Sequence, residues 1–432
     1  MDGVGFLAGG FGPGGMGPNG LSTGAHGWLR GIDWAMTRFS TAVSRSLEAQ
    51  VAAEQLADRI DDELEGPAHV VGGLVLATEA AGEGVLEVGR RLTQRWPGAA
   101  LFGTSFEGIL VDGRIYRDEP AFAVLAWSEG PSEPVPLVFE PGERNAARLA
   151  QEILDAAGRS ELTSADLVLL FPDALGSPQL ERVLAEVGPL LGQACLAGAA
   201  ATGLDGHPAP SFFGDEVHPG ALLGLFVPGA RDVGERQRPL LRCAGASRSA
   251  SPWLEITECR ARWVDGLDGE PPLDWVRRQL GLEAGAPVEP QLDRLLVRVR
   301  RDETLGVGRT GLPPYEERYV IGVDDRRGSI SLPGTFRRGD ELAFALPDSE
   351  RARETLRASI DELAETPLLL QFACRARDKS LYGDPDLESA WTAHHASNRR
   401  ILGTVSPFQL AMSDGGAPRL MVHSTVLTAL GE

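Results

Sequence analysis

The stretch LLLQFACRARDKSLYGDPDLESAW, Leu368 to Trp391, brings a thiol, two guanidiniums and an acidic helix start into one short segment. Cys374 ends an apolar, strand-like run, and Arg375 and Arg377 follow it directly. Ligands in α/β sheets bind at the carboxyl ends of strands, and flanking guanidiniums lower a thiol's pKa and attract anions. The competing reading of Cys374 is a small apolar residue closing a buried strand. If strand geometry persists past the thiol, Arg375 and Arg377 leave on one face and Cys374 on the other. The arginines would then converge on one anion or carboxylate, with the thiol mainly structural.

Two small-residue segments could also border a ligand. GTSFEGI, Gly103 to Ile109, resembles a nucleophile elbow around Ser105, but its spacing is G-x-S-x-x-G, without the close second glycine a strained serine needs. It reads better as a loop at a strand end with free backbone N–H groups, or as a tight strand-to-strand loop. AGAAATGLDGHP, Ala197 to Pro208, lacks G-x-G-x-x-G and a following helix, so it carries no dinucleotide fingerprint. Its small residues allow a backbone or a ligand to come close, or line a crowded sheet corner. The candidate ligand-binding residues are therefore Gly103, Thr104, Ser105, Gly108, Gly198, Thr202, Cys374, Arg375 and Arg377, with no catalytic and no metal-binding residue. The pocket is expected between or beside the sheets.

The seven histidines form neither H-E-x-x-H nor H-x-H, and His394-His395 on a helix point to different faces. His69 and His423 are expected on strands as core or edge histidines with a hydrogen-bond partner. A haem iron needs only one axial histidine, so spacing leaves haem open, but no cofactor is expected. Four cysteines lie far apart with no C-x-x-C pair, which argues against structural zinc and a disulfide framework.

The chain has 432 residues, enough for two or three domains, and the 43% apolar and 24% charged fractions of a soluble globular protein. A net charge of −20 disfavours nucleic acid and anionic membrane surfaces. Lys379 is the single lysine, which leaves one position for Schiff-base or Walker-type chemistry. No apolar run reaches the ~18–20 residues of a spanning helix, and the glycine-rich start has no signal-peptide pattern, so a cytoplasmic location is expected.

The elements that must position these residues follow a strand–helix rhythm. Residues 1–38 read as a flexible glycine-rich arm. Helical spacing covers Ser46 to Leu64, Glu83 to Trp96, Ala146 to Ala157 and Pro178 to Val187. Apolar runs predict buried strands at His69 to Thr78, Ala99 to Ser105, Asp166 to Phe171, Gln193 to Ala200 and Ala221 to Val227, with meander strands at Ala121 to Trp127 and Val135 to Phe139. A break near residue 230 divides a domain over 39–230 from a linker and first strand over 231–251 and a second domain over 252–432. In the second, two strands are expected to turn at Gly-Leu-Asp-Gly before a helix opened by Pro271-Pro272. Three further strands, a helix from Ser349 to Leu363, the strand Leu368 to Cys374, a helix from Leu387 to Asn398 and two terminal strands complete it. No period of 20–50 residues repeats. The fold class is mixed α/β, with two domains that each have a mixed sheet packed by helices.

Several of these segments together resemble the FIST family, with its N-terminal and C-terminal modules in tandem. The first module is carried by STAVSRSLEAQVAAEQLADRI, PGAALFGTSFEGILVDGRIYRDEPAFAVLAW, LAGAAATG and FFGDEVHPGALLGLFV. The second is carried by SPWLEITECRARWVDGLDGEPPLDWVRRQLG, YVIGVDDRRGSISLPGTFRRGDELAF, LLLQFACRARD and HSTVLTAL, in which Cys374 and Arg377 match F-x-C-x-x-R. The family's Gly-Glu-Ile near the C-terminus is absent here, where GTVSPFQLAMSDGG stands. The resemblance implies a bacterial small-ligand sensory protein rather than an enzyme. Its ligand would be an amino acid or another anion, and its output a separate signalling protein such as a kinase or cyclase. The alternatives are a protein-interaction scaffold that keeps no ligand and, third, a hydrolase using Ser105.

Overall fold

The structure is a computed structural model that describes residues 37–128, 134–140, 145–175, 180–229, 239–283, 285–300, 312–363, 366–396, 399–412 and 418–430. Most of the expected arm, residues 1–36, and the segment 230–238 around the expected division lie outside them. Among the described residues, three six-stranded sheets and one eight-stranded sheet form, packed by helices, as a mixed α/β chain should.

The three six-stranded sheets share one plan. In the first, Phe39–Ser44 pairs antiparallel with Phe122–Ser128, which pairs antiparallel with Val70–Thr78, which runs parallel to Ala100–Phe106. Val135–Phe139, Leu222–Val227, Leu167–Phe171 and Cys195–Ala199 repeat that order and those directions in the second. Leu240–Gly245, Ser424–Leu430, Leu368–Cys374 and Arg400–Ser406 repeat them in the third. The chain therefore contains three copies of one unit, far longer than the 20–50 residues of a solenoid repeat. Each unit covers the outer face of its sheet with two helices: Ala49–Glu63 and Gly84–Arg95, Ala146–Ala157 and Leu180–Val187, and Ser349–Asp361 and Leu387–His395.

Each sheet is completed by a hairpin from another unit. The first unit's Gly108–Val111 and Arg114–Arg117 extend the third sheet. The third unit's Gln409–Met412 and Arg419–Met421 extend the second, and the second unit's Phe212–Phe213 and Glu216–Val217 extend the first. The exchange closes a ring, so two sheets contain strands from both sides of residue 230. The inserted residues 247–347 build the fourth sheet and the helix Pro272–Leu280 around a core of their own.

Alternation decides the rest. Leu368, Leu370 and Phe372 face a central core shared by the three sheets, whereas Leu369 faces the helices. A strand buried on both faces reads as a continuous apolar run. Phe106, Phe171 and Phe372, one from each sheet, meet edge to face at 5.7 and 6.0 Å between ring centres. Three expectations change. Between the helices Pro272–Leu280 and Ser349–Asp361 the described residues form five strands rather than three, because Glu316–Tyr319 and Gly322–Asp324 are separate and Ser329–Ser331 is added. The hairpin Leu254–Arg260 to Trp263–Leu267 turns at Ala261-Arg262, where Ala261 has φ +49°, and Gly-Leu-Asp-Gly follows it. Among the described residues beyond Asn398 there are four strands rather than two, because the exchanged hairpin adds a pair.

Candidate functional site

The strand Leu368–Cys374 stops at the thiol, and residues 375–378 form a turn. The expected convergence of the two arginines depended on the strand continuing, and they part instead. The Arg375 side chain is 60% exposed and pairs with Glu107 at 2.8 Å. Arg377 turns inward to full burial, where its Nε donates to Glu388 Oε2 at 2.7 Å, one terminal nitrogen to the Ala244 carbonyl and the other to the Tyr382 hydroxyl. Glu388 also accepts from Tyr382, Thr425 and Gln371. A buried carboxylate accepting from this many donors fixes the turn to the helix Leu387–His395, so Arg377 is structural. Cys374 is 1% exposed, points its sulfur at the Pro407 carbonyl, and has its pKa pushed up by burial.

The small-residue candidates prove to be strand residues, except Thr202, which follows the strand Cys195–Ala199. Gly103 and Gly198 stand in register with Val75 and Leu170 on the parallel neighbour, and Gly403 stands likewise with Gln371. A Cβ at these three glycines would lie 2.4, 1.9 and 1.9 Å from the partner's carbonyl oxygen. The close approach is therefore by backbone, at one equivalent rung in each unit. Gly108 is wedged between the Tyr116 carbonyl and Val405. Thr104 bonds Ser211, and the Ser105 hydroxyl donates to the Thr202 carbonyl at 2.5 Å while the Thr202 N–H donates to the Ser105 carbonyl. Ser105 is thus held inside the strand Ala100–Phe106, where a loop with free N–H groups was expected. The Thr202 hydroxyl is buried without a hydrogen-bond partner.

An opening lies on one side of the 374–377 turn, against the inserted sheet. This cavity of about 690 Å³ is lined by Arg248, Arg294, Arg375, Tyr319, His423 and Asp293, among others. Arg375 is its one residue among the sequence candidates. Three guanidiniums face one carboxylate there. Their partners, Asp348 for Arg248, Gln291 for Arg294 and Glu107 for Arg375, sit in exposed or half-exposed contacts. Such contacts are worth about 0–1 kcal/mol and can be exchanged for a ligand. His423, on a φ of +55° between two strands, is 4% exposed, and its Nδ1 lacks the expected partner. Burial, reinforced by Arg377, lowers its pKa to about 4, so the imidazole is neutral at pH 7. The Tyr319 hydroxyl meets the Cys374 thiol and is kept protonated by burial. A neutral floor under cationic walls suits a small organic anion with a polar body.

The described residues thus form a three-unit α/β ring with an arginine-lined cavity beside the third unit. Residues 73–270, just under half of the chain, match the family model of the FIST N domain, which supports a FIST domain protein. Two relatives are each 25% identical over 360 residues, 82% of this chain and 88% of theirs: the uncharacterized proteins Mb0898c of Mycobacterium bovis and MT0897 of Mycobacterium tuberculosis. Among solved structures, a cyanuric acid hydrolase from A. caulinodans aligns over 91% of this chain and all of its own, at 10% identity and a TM-score of 0.33. No helix among the described residues is long and apolar enough to cross a membrane.

Proposed function

We propose that this chain is a FIST-type sensory protein that binds a small organic anion, a carboxylate such as an amino acid, in the cavity between the inserted sheet and the third unit. The observation that carries the reading is the set of Arg248, Arg294 and Arg375 around the neutral His423, whose Nδ1 has no hydrogen-bond partner. Guanidiniums bind carboxylates in bidentate fashion, and His423 Nδ1 offers a buried polar contact to the rest of the molecule. The module assignment of the second half, the cytoplasmic location and a separate signalling partner such as a kinase or cyclase belong to the same proposal. The hydrogen-bonded setting of Ser105 favours binding over hydrolysis.

A thermal-shift panel of amino acids, dicarboxylates, nucleotides and inorganic anions tests it. A specific carboxylate at 100-fold its Kd should add about 2.7 kcal/mol to apparent stability. Arg294→Ala with Arg375→Ala should weaken it at least tenfold. Retention of full affinity in that variant would move the anion site elsewhere. A panel without a hit, joined to co-purification of a protein partner, would favour the scaffold.

A further inference from the structure

The opposite side of the 374–377 turn carries a second opening with the reverse charge. This cleft of about 200 Å³ has room for about seven waters at ~30 Å³ each. Its floor is Gln371, Ala373 and Val405, from two adjacent strands of the third sheet. One wall is the first unit's exchanged hairpin with Arg117, Asp118 and Glu119, and the other is Asp378, Asp386 and Glu388. Five carboxylates against the two guanidiniums of Arg117 and Arg377 leave a formal charge of −3. Arg377 is consumed by Glu388, and Arg117 by Asp378 at 3.2 Å. The excess therefore rests on Asp118, Asp386 and Glu119, which pairs with the exposed Arg45.

The acidic walls acquire meaning from the floor. Gln371 is 0% exposed, and its amide nitrogen donates to Glu388 Oε1 at 3.3 Å. A carboxylate only accepts, so that contact fixes which end of the amide faces Glu388. The amide oxygen is then a fully buried acceptor with no donor. Leaving such an acceptor unmade is costly, and the residue missing from the arrangement is an N–H donor. We propose that the cleft binds a small organic cation, a primary ammonium or a guanidinium, which donates to Gln371 Oε1 and is neutralised by Asp118 and Asp386. This site is independent of the anion cavity in both residues and charge.

Calorimetric titration of the full chain with 1,4-diaminobutane and with agmatine at low ionic strength tests the proposal, with 1,4-butanediol and succinate as controls. Saturable one-site binding of an amine but of neither control is expected. Asp118→Asn with Asp386→Asn, both exposed positions, should weaken it at least tenfold, and Gln371→Met should do so by removing the acceptor while keeping the bulk. Arg294→Ala, in the other cavity, should leave amine affinity unchanged, so loss of either site is read separately. Absence of saturable amine binding, equal binding in the Asp118/Asp386 variant, or tight binding of a bare divalent cation in place of both amines would overturn it.

Discussion

His423 is the residue whose chemistry is most altered by its surroundings. Its pKa is lowered to about 4 by burial and then by Arg377, against ~6.5 in an unfolded chain. The folded state thus binds fewer protons than the unfolded one. The resulting stability is complete above pH ~6.5 and is lost progressively as the pH falls towards 4, a difference of about 3 kcal/mol. Urea unfolding at pH 7 and pH 4.5 should show a smaller loss in His423→Asn, a residue that tolerates the positive φ; equal losses would remove His423 from the account. Arg377→Ala should cost about 3–5 kcal/mol because Glu388 is left buried and uncompensated, whereas the exposed Arg375→Ala should cost under ~1 kcal/mol. Denaturation midpoints of the two variants measure the contrast. Cys374, buried and with a raised pKa, should resist alkylation in the native protein and react only on unfolding.

At the scale of the element, the repeated glycine rung sets how closely the two parallel strands of each unit lie. Gly198→Ala and Gly403→Ala would place a methyl 1.9 Å from a backbone carbonyl, and neither strand can move without disturbing packed layers on both faces. A cost of about 1–3 kcal/mol or more is expected for each. Gly245, also on a strand but with nothing within 4 Å of its would-be Cβ, is the control, and Gly245→Ala should be nearly neutral by thermal unfolding. The turn after Cys374 belongs to the same scale. Asp378 caps the short helix Lys379–Tyr382 through Ser380 N–H, and Glu388 stands in the first turn of the next helix, so Arg377 is drawn inward to it while Arg375 pairs with Glu107.

For the whole molecule, the ring of exchanged hairpins makes the three units interdependent. A fragment of residues 37–229 lacks the strands Gln409–Met412 and Arg419–Met421, which pair with Cys195–Ala199, and exposes the central core around Phe171 and Phe106. It should give no cooperative thermal transition, whereas the full chain should; a sharp melt of the fragment would show that the first two units suffice. The anion cavity and the cation cleft both border the 374–377 turn, which places two oppositely charged openings on the third unit.

Much of this was legible in the residues alone. The helix Ala146–Ala157 and the strands Leu368–Cys374 and Val135–Phe139 carry their bounds in apolar periodicity, because each buries its own pattern of faces whatever its neighbours. Mixed α/β layering followed from their alternation. The site was less legible. Sequence alone pointed to the segment around Cys374 but paired the wrong side chains, since Arg377 turns inward for Glu388, eleven residues further on, and for the Ala244 carbonyl on a distant strand. Arg248, Arg294, Tyr319 and His423 carry no common spacing; packing of the inserted residues, which hold the first three, against the segment of His423 brings them to one cavity. Gly103, Gly198 and Gly403 share a similar local pattern, yet their equivalence emerges only from register, because each answers to a carbonyl on another strand. Local burial is a property of nearby residues and can be read from them, whereas convergence depends on which strands pair, and only the tertiary structure decides that.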